Sequence, residues 1–466
     1  MNKLTSRLYK CLPLPLKRQY DRIAASDIGK RMSKSVFWSL TGSVLSQGLM
    51  LLATIVVARI LGKTEYGELG MIRSTVSMFA VFAGFGLGMT ATKYIAEFRY
   101  SHPEKTGKII GLTTLFAGGT GGIISIIILL SAPYIATHSI NAPHLVNEIR
   151  LGAVMLFFSA LNGAQTGTLS GFEAFKTIAR VNLVSGLLAF PIQIGCTLLL
   201  GLQGSVIGFG LSFCILWILN FFAVRQESKK AGIAIRFSKA WDEWNVLLKF
   251  SLPALLSGIL VSPVMWACNA LLVNKPGGYD EMALFDAANQ WRNAILFIPA
   301  ILAQIALPML SAHVHDKPKF NRILKLNIRI NVIVATAIAV LVSLLAVLIM
   351  KSYGKGFAEG SEVLIVLAGS AVLVAVNNII GQAIASKGRM WAGFSLNLIW
   401  SVILISCTAW FINRGMGAKG IALGLLISYV LHTITQSVFV HFIMRKQVPT
   451  LPPTTNAIKE SDHTSA

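Results

Sequence analysis

Charged residues are scarce in this chain, and acidic residues are scarcer than basic ones. Only 13% of the 466 residues are Asp, Glu, Lys or Arg, against about 25% in an average soluble domain. There are 41 Lys and Arg but 19 Asp and Glu, which gives a formal net charge of +22. With 54% hydrophobic residues and a mean hydropathy of +0.67, this composition excludes an ordinary soluble protein and predicts a protein of the bilayer.

Patterns that would indicate a metal site, a nucleotide site or an active site are also missing. The five cysteines are scattered with no C-x-x-C pair, so they predict neither disulfides nor metal binding. The His-x-His-Asp motif at 313–316 lacks further nearby ligands, and we interpret it as a solvated loop. The Gly-Lys-Thr motif at 62–64 has Val57 where a phosphate-binding loop needs glycine. We therefore predict no enzymatic activity, no metal and no cofactor.

Long apolar runs fill most of the chain. A run of roughly 20 apolar residues spans about 30 Å of hydrocarbon. By this criterion the sequence predicts an all-α integral membrane protein with twelve transmembrane helices. The predicted spans cover about 36–58, 69–92, 109–132, 151–171, 182–200, 203–224, 250–273, 283–310, 328–350, 362–386, 391–412 and 420–444.

The distribution of Lys and Arg predicts the orientation of these spans. Nine lie in the N-terminal segment 1–35 and six in the loop 225–249, whereas the connection 200–203 has none. Because short cytoplasmic loops are enriched in Lys and Arg, we predict a multi-pass protein with both termini in the cytoplasm. The basic charge then indicates topology and contact with membrane lipids, and no nucleic acid is predicted as a partner.

The ends of the chain do not add folded domains to this prediction. The first apolar run is about 23 residues long, which is too long for the apolar region of a cleaved signal peptide, and we interpret it as a signal anchor. The tail has too little apolar surface to fold alone. We predict five segments: a basic cytoplasmic segment 1–35, an N-terminal six-helix lobe 36–225, a cytoplasmic linker 226–249, a C-terminal six-helix lobe 250–445 and a disordered cytoplasmic tail 446–466.

The two predicted lobes are related by an internal repeat. Asn162 and Asn182 recur as Asn377 and Asn397 at an offset of 215 residues. An even number of spans per half makes the halves parallel, with an axis along the membrane normal and a binding site between them near the midplane. The clearest part of the repeat, at an offset of 216, is Gly201-x-x-Gly204-x-x-x-Gly208-x-x-x-Ser212, which recurs as Gly417-x-x-Gly420-x-x-x-Gly424-x-x-x-Ser428.

Polar residues inside the spans indicate where that site lies. A charge at the bilayer centre costs about 2.5–3.5 kcal/mol even on lenient scales, so such residues must face water or a partner. Four polar residues of the eighth span follow i, i+3, i+4, i+7 spacing and form one stripe. An alternative for the cations near span ends is snorkelling to the interface. The predicted cavity residues are Asp286, Asn289, Gln290 and Asn293 of this stripe, Arg292 beside it, Ser43 and Gln47 of the first span, and Arg59 and Arg73 near the outer ends of the first two spans.

Glycines and prolines within the spans predict close packing or bending. Glycine strings allow close helix approach or local unwinding, and a proline removes a backbone donor and bends its helix. The predicted hinge or packing positions are Gly84, Gly86, Gly88, Pro191, Pro253, Pro263, Pro299 and Pro308.

Several of these segments together resemble a known family. They are the Arg59-Ile-Leu-Gly-x-x-x-Tyr66-Gly67 loop, the Gly84–Gly88 string leading into Lys93-Tyr-Ile-Ala-Glu97, Pro308-Met-Leu-Ser311, and Tyr353-Gly354-x-x-Phe357 before Asn377-Asn378-x-x-Gly381-Gln382. In order and spacing they resemble the polysaccharide-export branch of the multidrug/oligosaccharidyl-lipid/polysaccharide (MOP) flippase superfamily, and in particular O-antigen (Wzx-type) flippases. The resemblance covers about 36–445.

The resemblance implies a fold, a substrate and partners. The fold is the MATE-like MOP fold with two six-helix lobes around a central cavity. The substrate is an undecaprenyl-diphosphate-linked oligosaccharide, such as an O-antigen repeat unit used in lipopolysaccharide. It would move from the cytoplasmic to the outer leaflet of the bacterial inner membrane by alternating access. The further partners implied are a polysaccharide polymerase and chain-length machinery. The cationic and polar cavity residues of the family correspond by position in the helix to Arg59, Arg292 and Asp286.

Three other functions compete with this one. A multidrug cation antiporter of the same superfamily is expected to carry an acidic residue in its first helix, but the span 36–58 contains none. A lipid II flippase is expected to have two further C-terminal helices, for which the 22 residues after Met444 leave no room. A non-transporting scaffold for glycosyltransferases would have no reason to keep a charged stripe inside a helix.

Overall fold

The computed structural model describes the backbone of residues 27–445, apart from 248–250, 252–254, 256–257, 312 and 315, and the predicted N-terminal segment before residue 27 and tail 446–466 lie outside it. Side-chain environments are described for 44–442, with further gaps at 304–305, 307–308 and 390. The described chain is helical and contains no strand. Its α-helices are α1 Asp27–Gly84, α2 Leu87–Phe98, α3 Pro103–Tyr134, α4 Val146–Gly171, α5 Phe175–Lys230, α6 Val261–Val273, α7 Gly278–Ser311, α8 Lys317–Leu344, α9 Ala346–Ser352, α10 Ser361–Ser386, α11 Met390–Asn413 and α12 Gly417–Arg445.

Eight helical segments of the described chain are long and apolar enough to cross a bilayer, so the protein is a multi-pass membrane protein. Two of them, Val44–Phe98 and Phe175–Lys230, are 55 and 56 residues long, more than twice the length that one crossing needs. Each contains a break inside its helix, at Gly62 in α1 (φ 78°, ψ −177°) and at Gly201 in α5 (φ 57°, ψ −132°). These breaks lie where the sequence predicts the first and fifth connections between spans.

The repeated glycine motif has the same structural role in both halves. Its first member has a positive φ in each copy, 57° at Gly201 and 49° at Gly417, which favours glycine. Later members lie against the preceding helical arm. A Cβ on Gly208 would lie 3.0 Å from the Cα of Gln193, and one on Gly424 would lie 2.6 Å from the Oγ1 of Thr408. The motif therefore encodes a sharp turn followed by a close helix crossing.

Helices α1 and α7 pack against each other through residues that the repeat relates. Thr64 Oγ1 donates to Asp280 Oδ1 at 2.6 Å. A Cβ on Gly67 would lie 3.1 Å from the backbone nitrogen of Ala283, and one on Gly70 would lie 3.1 Å from the Cβ of Asp286. Each pair is 216 residues apart, so the two helices run parallel and in register. A two-fold axis parallel to the helices produces this arrangement, and it agrees with the axis that the repeat predicts.

The glycines predicted as hinges divide into different roles. Helix α1 ends at Gly84, and Phe85 and Gly86 have positive φ values of 44° and 65° before α2 begins. Gly88 is a packing position, because a Cβ there would lie 2.9 Å from the carbonyl oxygen of Gly163 in α4. The string therefore combines a break between two helices with a close contact just after it.

The prolines do not coincide with the breaks seen in the long helices. Pro263 lies in the first turn of α6, where a missing backbone donor costs little. The predicted span 250–273 is interrupted by turn residues at 259–260, one turn before this proline, so a bend at Pro263 stays a prediction. Helix α5 continues through Pro191, and Pro299 lies within α7. Pro253 and the side chain of Pro308 lie outside the described residues.

Candidate functional site

A cavity of about 540 Å³ lies between the N-terminal helices α1, α4 and α5 and the C-terminal helices α6 and α7. Its volume falls in the range of small-molecule sites. The apolar part of its wall includes Met155, Phe209 and Phe213. The polar and charged residues that line it are Gln47, Thr54, Arg73, Ser74, Ser77, Ser262, Asn269, Asp286, Asn289, Gln290, Arg292 and Asn293.

The predicted polar stripe of the eighth span lies along this cavity. The structure places all four stripe residues in its wall, together with Arg292, Arg73 and Gln47. The side chain of Ser43 lies outside the described residues. Arg59 lies elsewhere: its Nε donates to the backbone carbonyl of Ser352 at 2.6 Å, so the expectation that it lines the cavity is wrong for this conformation.

Arg73 is the less firmly held of the two cavity arginines. Its Nη1 lies 3.6 Å from Asp286 Oδ2, and both side chains are close to 90% buried. The guanidinium stacks over the ring of Phe209 at 4.0 Å. Its Nε, Nη1 and Nη2 atoms are buried and have no hydrogen-bond partner among the described residues. Leaving a buried donor unpaired costs about 1–3 kcal/mol, and more for a charged group, so this fork is suited to an anionic ligand.

The neighbouring helix α6 fixes the arm of α1 that carries Arg73. Asn269 Nδ2 donates to Ser74 Oγ at 2.9 Å, and Trp266 Nε1 donates to Thr75 Oγ1 at 3.0 Å. These two bonds join the halves directly beside Arg73, and sequence reasoning misses them. Asn269 stands alone among the apolar residues of 264–273, which is the signal that identifies it.

Arg292 is held more firmly than Arg73. Its Nε donates to Ser370 Oγ at 3.1 Å and its Nη1 to Asn289 Oδ1 at 3.4 Å. The guanidinium also lies 5.6 Å from the centre of the Tyr429 ring. The i, i+3 spacing of Asn289 and Arg292 brings them together on α7. With Arg73, Arg292 and Asp286 in its wall, the cavity carries one net positive charge when all three groups are ionised.

The two halves are in close contact at one end of the molecule, which we call the closed end. From α1 it includes Arg59, Lys63, Thr64 and Tyr66. From the C-terminal half it includes Asp280, Ser352, Tyr353, Phe357 and Glu359. The rings of Tyr66, Tyr353 and Phe357 are fully buried, with centroids 5.7–6.1 Å apart. Lys63 Nζ lies 3.3 Å from Glu359 Oε2. This end therefore seals the cavity on the side where α1 breaks at Gly62.

The aromatic seal is a part of the site that sequence reasoning misses. Its three residues stand in the segments that carry the family resemblance, at Tyr66-Gly67 and Tyr353-Gly354-x-x-Phe357. That resemblance is the available signal, but no local pattern shows that two segments nearly 290 residues apart come together.

The His-x-His-Asp segment lies far along the chain from this site and has a capping role. Asp316 Oδ1 accepts from the backbone nitrogen of Lys319 at 3.1 Å, and its Oδ2 lies 2.8 Å from Lys319 Nζ. These hydrogen bonds lower the pKa of Asp316 below its usual value. Asp316 therefore caps helix α8, while His315 lies outside the described residues.

Comparison with known proteins identifies the family. The model of the family described as "Polysaccharide biosynthesis protein" matches residues 32–314, more than half of the chain. The chain belongs to this family. It is 22% identical over 438 residues to the EPS I polysaccharide export inner membrane protein EpsE of Ralstonia solanacearum, covering 91% of this chain and 94% of that protein. It is also 22% identical over 284 residues to the lipid III flippase of Escherichia coli K12, covering 60% of this chain and 67% of the flippase.

Solved structures of membrane transporters share the fold of this chain. A structure described as the inward-facing conformation of a multidrug resistance MATE family transporter superposes with a TM-score of 0.70 at 16% identity, covering 85% of this chain and 94% of the other. The lipid II flippase MurJ in its inward closed conformation gives a TM-score of 0.68 at 14% identity, covering 87% of each chain. These similarities show a shared fold.

Proposed function

We propose that this protein moves a lipid-diphosphate-linked oligosaccharide across the membrane by alternating access. The observation that carries the proposal is the buried Arg73 fork, which faces the cavity between the halves and whose three nitrogens form no hydrogen bond with the described residues. Paired donors of a guanidinium match phosphate oxygens. The family match and the names of the two export relatives support the same function.

The chemistry of the cavity fits the different parts of such a substrate. A diphosphate binds Arg73 and Arg292, while Asn289, Gln290 and Asn293 offer hydrogen bonds to sugar hydroxyls. The lipid tail stays in the bilayer, where it keeps its apolar surroundings. Asp286 pairs with Arg73 and competes with the diphosphate for it, which weakens binding and favours release of the diphosphate.

The finer features of the proposal follow the sequence. We propose twelve membrane crossings in two six-helix lobes, with α1 and α5 each crossing twice around Gly62 and Gly201. The distribution of Lys and Arg supports cytoplasmic termini in the inner membrane, with the closed end outside, so that this conformation faces inward. An O-antigen or other surface polysaccharide repeat unit is the proposed cargo, and a polysaccharide polymerase with its chain-length machinery is the proposed downstream partner.

A multidrug antiporter is the alternative with the same fold. Its expected cargo is cationic, but the cavity here carries two arginines against one aspartate. A cation entering it would meet net positive charge, which disfavours binding. Transport of a cationic dye in place of a lipid-linked saccharide would support this alternative.

Flipping in proteoliposomes tests the proposal. We expect the purified protein to flip a fluorescent lipid-diphosphate-linked saccharide without ATP, and faster when the destination side is made positive. The potential contributes about 2.3 kcal/mol per charge per 100 mV. Because a coupled proton would give the same sign, pH must be varied separately from voltage. Strict dependence on ATP, or indifference to both voltage and pH, would contradict this mechanism.

Arg73 variants connect that activity to the site. Arg73→Gln removes the charged donors and should lower the affinity for the lipid diphosphate about 10- to 100-fold, as expected for a lost hydrogen bond to a charged group. Arg150 is exposed and does not line the cavity, so Arg150→Gln is the matched control and should bind normally. Equal binding by both variants would remove Arg73 from the site.

A further inference from the structure

A second cavity, of about 360 Å³, lies in the C-terminal half between α10, α11 and α12, with Met89 of α2 at its edge. It adjoins the first cavity, because Val261 lines both and Tyr429 of its wall lies beside Arg292. Among the described residues that line it, none is Asp, Glu, Lys or Arg. Its polar wall consists of Asn377, Asn378, Gln382, Asn397, Trp400, Tyr429, His432 and Gln436.

Buried polar atoms in this wall lack partners. Trp400, His432 and Gln436 are each at least 95% buried. Trp400 Nε1, His432 Nδ1, Gln436 Oε1 and Asn377 Oδ1 form no hydrogen bond with the described residues. His432 Nε2 and Gln436 Nε2 lie 2.8 Å apart. An unsatisfied buried group costs about 1–3 kcal/mol, so a concentration of four around one cavity indicates a ligand that satisfies them.

The internal repeat supplies a comparison for this wall. In the N-terminal half, Asn162 Nδ2 donates to the carbonyl of Phe213 at 2.9 Å, and its Oδ1 accepts from Asn220 at 3.2 Å. In the C-terminal half Asn377 donates to the carbonyl of Tyr429 at 3.5 Å, which repeats the first of these bonds. The Oδ1 of Asn377, however, is left unpaired within the described part of the chain.

Two positions near this wall differ between the two copies of the repeat. At an offset of 216, Asn220 corresponds to Gln436 and Leu216 corresponds to His432. The polar pair of the N-terminal half is closed on itself, whereas its C-terminal counterpart lines an open cavity. Because Leu216 occupies the place of His432 in the N-terminal half, the polar side chain of His432 is not a requirement of the repeated helix packing.

We propose that this second cavity is a saccharide subsite, which binds an uncharged sugar unit of the lipid-linked substrate while Arg73 and Arg292 hold the diphosphate. This inference rests on the proposed function. Amides and an indole N–H hydrogen-bond to sugar hydroxyls in both directions. The Trp400 ring lies 5.3 Å from that of Tyr429 and 6.3 Å from that of His432, so three rings lie together in this wall. A cation would instead call for carboxylate oxygens, which the described wall lacks.

Binding of sugar-bearing and sugar-free lipids to the full-length protein in nanodiscs tests the subsite. The probes are undecaprenyl diphosphate and a panel of the same lipid carrying one N-acetylglucosamine, glucose or galactose. We expect at least one panel member to bind the unaltered protein more tightly than undecaprenyl diphosphate. Gln436→Leu should reduce that gain about three- to tenfold, the effect of one lost hydrogen bond, and leave the affinity for the sugar-free lipid within about twofold.

Control variants separate this effect from misfolding and from the diphosphate site. Asn220→Leu is the repeat-matched control and should not alter the ratio of the two affinities. Trp400→Phe keeps a ring but removes the Nε1 donor, so it serves as a second, milder variant with the same expected direction. Arg73→Gln should weaken both lipids equally.

Two results would overturn the inference. If no panel member binds more tightly than undecaprenyl diphosphate, or if Gln436→Leu and Trp400→Phe weaken both lipids equally, the cavity is not a saccharide subsite, although the proposed function survives. If the unaltered protein fails to bind undecaprenyl diphosphate, the proposed function itself fails.

Discussion

The two arginines that line the cavity differ in how firmly neighbouring side chains hold them, and this difference indicates different roles in binding and transport. Arg292 is fixed by Ser370 and Asn289, so its fork keeps one direction whether or not substrate is present. Arg73 has a 3.6 Å ion pair with Asp286, a ring contact with Phe209 and an interaction with Tyr66. A fixed cation orients a ligand, whereas a cation shared with Asp286 is able to exchange partners during transport.

Substitution of Arg292 tests how much the fixed guanidinium of this residue contributes to flipping. Arg292→Lys keeps the charge but loses bidentate geometry, so we expect flipping in proteoliposomes at a reduced rate, about tenfold lower. Arg292→Ala should abolish flipping at equal protein levels. The conservative exchange Arg150→Lys, at an exposed position, is the control. Full activity of Arg292→Ala would exclude Arg292 from the site.

The sequence predicted which residues of α7 share the face that lines the cavity, but it did not predict which arginines near the span ends line the cavity. Spacing on α7 was sufficient to predict one stripe from Asp286 to Asn293, because helix geometry fixes which residues share a face. It was insufficient for Arg59 and Arg73, which both lie near predicted span ends but differ in environment. Only packing between distant helices decides that Arg59 binds a carbonyl at the closed end while Arg73 faces the cavity.

At the scale of helices, glycines on α1 determine how closely α7 approaches. A Cβ on Gly67 would overlap the backbone carbonyl of Tyr279, and one on Gly70 would press on Asp286. Close backbone approach through small residues is a common way to pack helices in a membrane. It also sets the separation between Arg73 and Asp286.

We predict that Gly67→Ala forces α1 and α7 apart and destabilises the protein by about 1–3 kcal/mol, the usual cost of overpacking. Gly48 lies on the same helix, and a Cβ added there would meet nothing within 4 Å, so Gly48→Ala is the matched control and should be neutral or slightly stabilising. Thermal unfolding in detergent measures both. Equal melting temperatures for the two variants would show that the α1–α7 contact adapts freely.

The helices themselves were largely predictable, but their breaks were not. Ten of the twelve predicted spans overlap the eight helical segments of the described chain that are long and apolar enough to cross a membrane, whereas the predicted spans 250–273 and 283–310 are not among those segments. Prolines were expected to bend them, yet the two long helices break at Gly62 and Gly201. Positive φ is accessible to glycine at little cost, whereas the fixed φ of proline is compatible with a first turn, as at Pro263.

At the scale of the whole molecule, the closed end and the linker lie at opposite ends of the helices. The linker backbone packs against the start of α3, where Arg236 N donates to the carbonyl of Gly107 at 3.2 Å. Just past the other end of α3, the hydroxyl of Tyr279 donates to the carbonyl of Ile140 at 2.8 Å, and Tyr279 precedes Asp280 of the closed end. We therefore expect the charged linker and the closed end to face opposite sides of the membrane.

Thiol labelling tests which side of the membrane the linker faces and which side the closed end faces. Lys230 and Lys355 are both exposed and lie near the linker and the closed end, respectively. Cysteine introduced at Lys355 should react with an impermeant reagent in intact cells, whereas cysteine at Lys230 should react only after the cells are opened. The reverse pattern would invert the proposed orientation.

The contact between Gly70 and Asp286 bears on how such a chain arose. These residues occupy the same place in the two halves and face each other. Suppose that the halves had once been two identical chains associated as a homodimer. The residue at this position in one chain would then have faced the same residue of the other chain. Aspartate would then have faced aspartate, and two buried carboxylates at that distance repel each other. The present glycine and aspartate require two halves that vary independently, so the single acidic group beside Arg73 is a feature that a homodimer of identical chains is unable to encode.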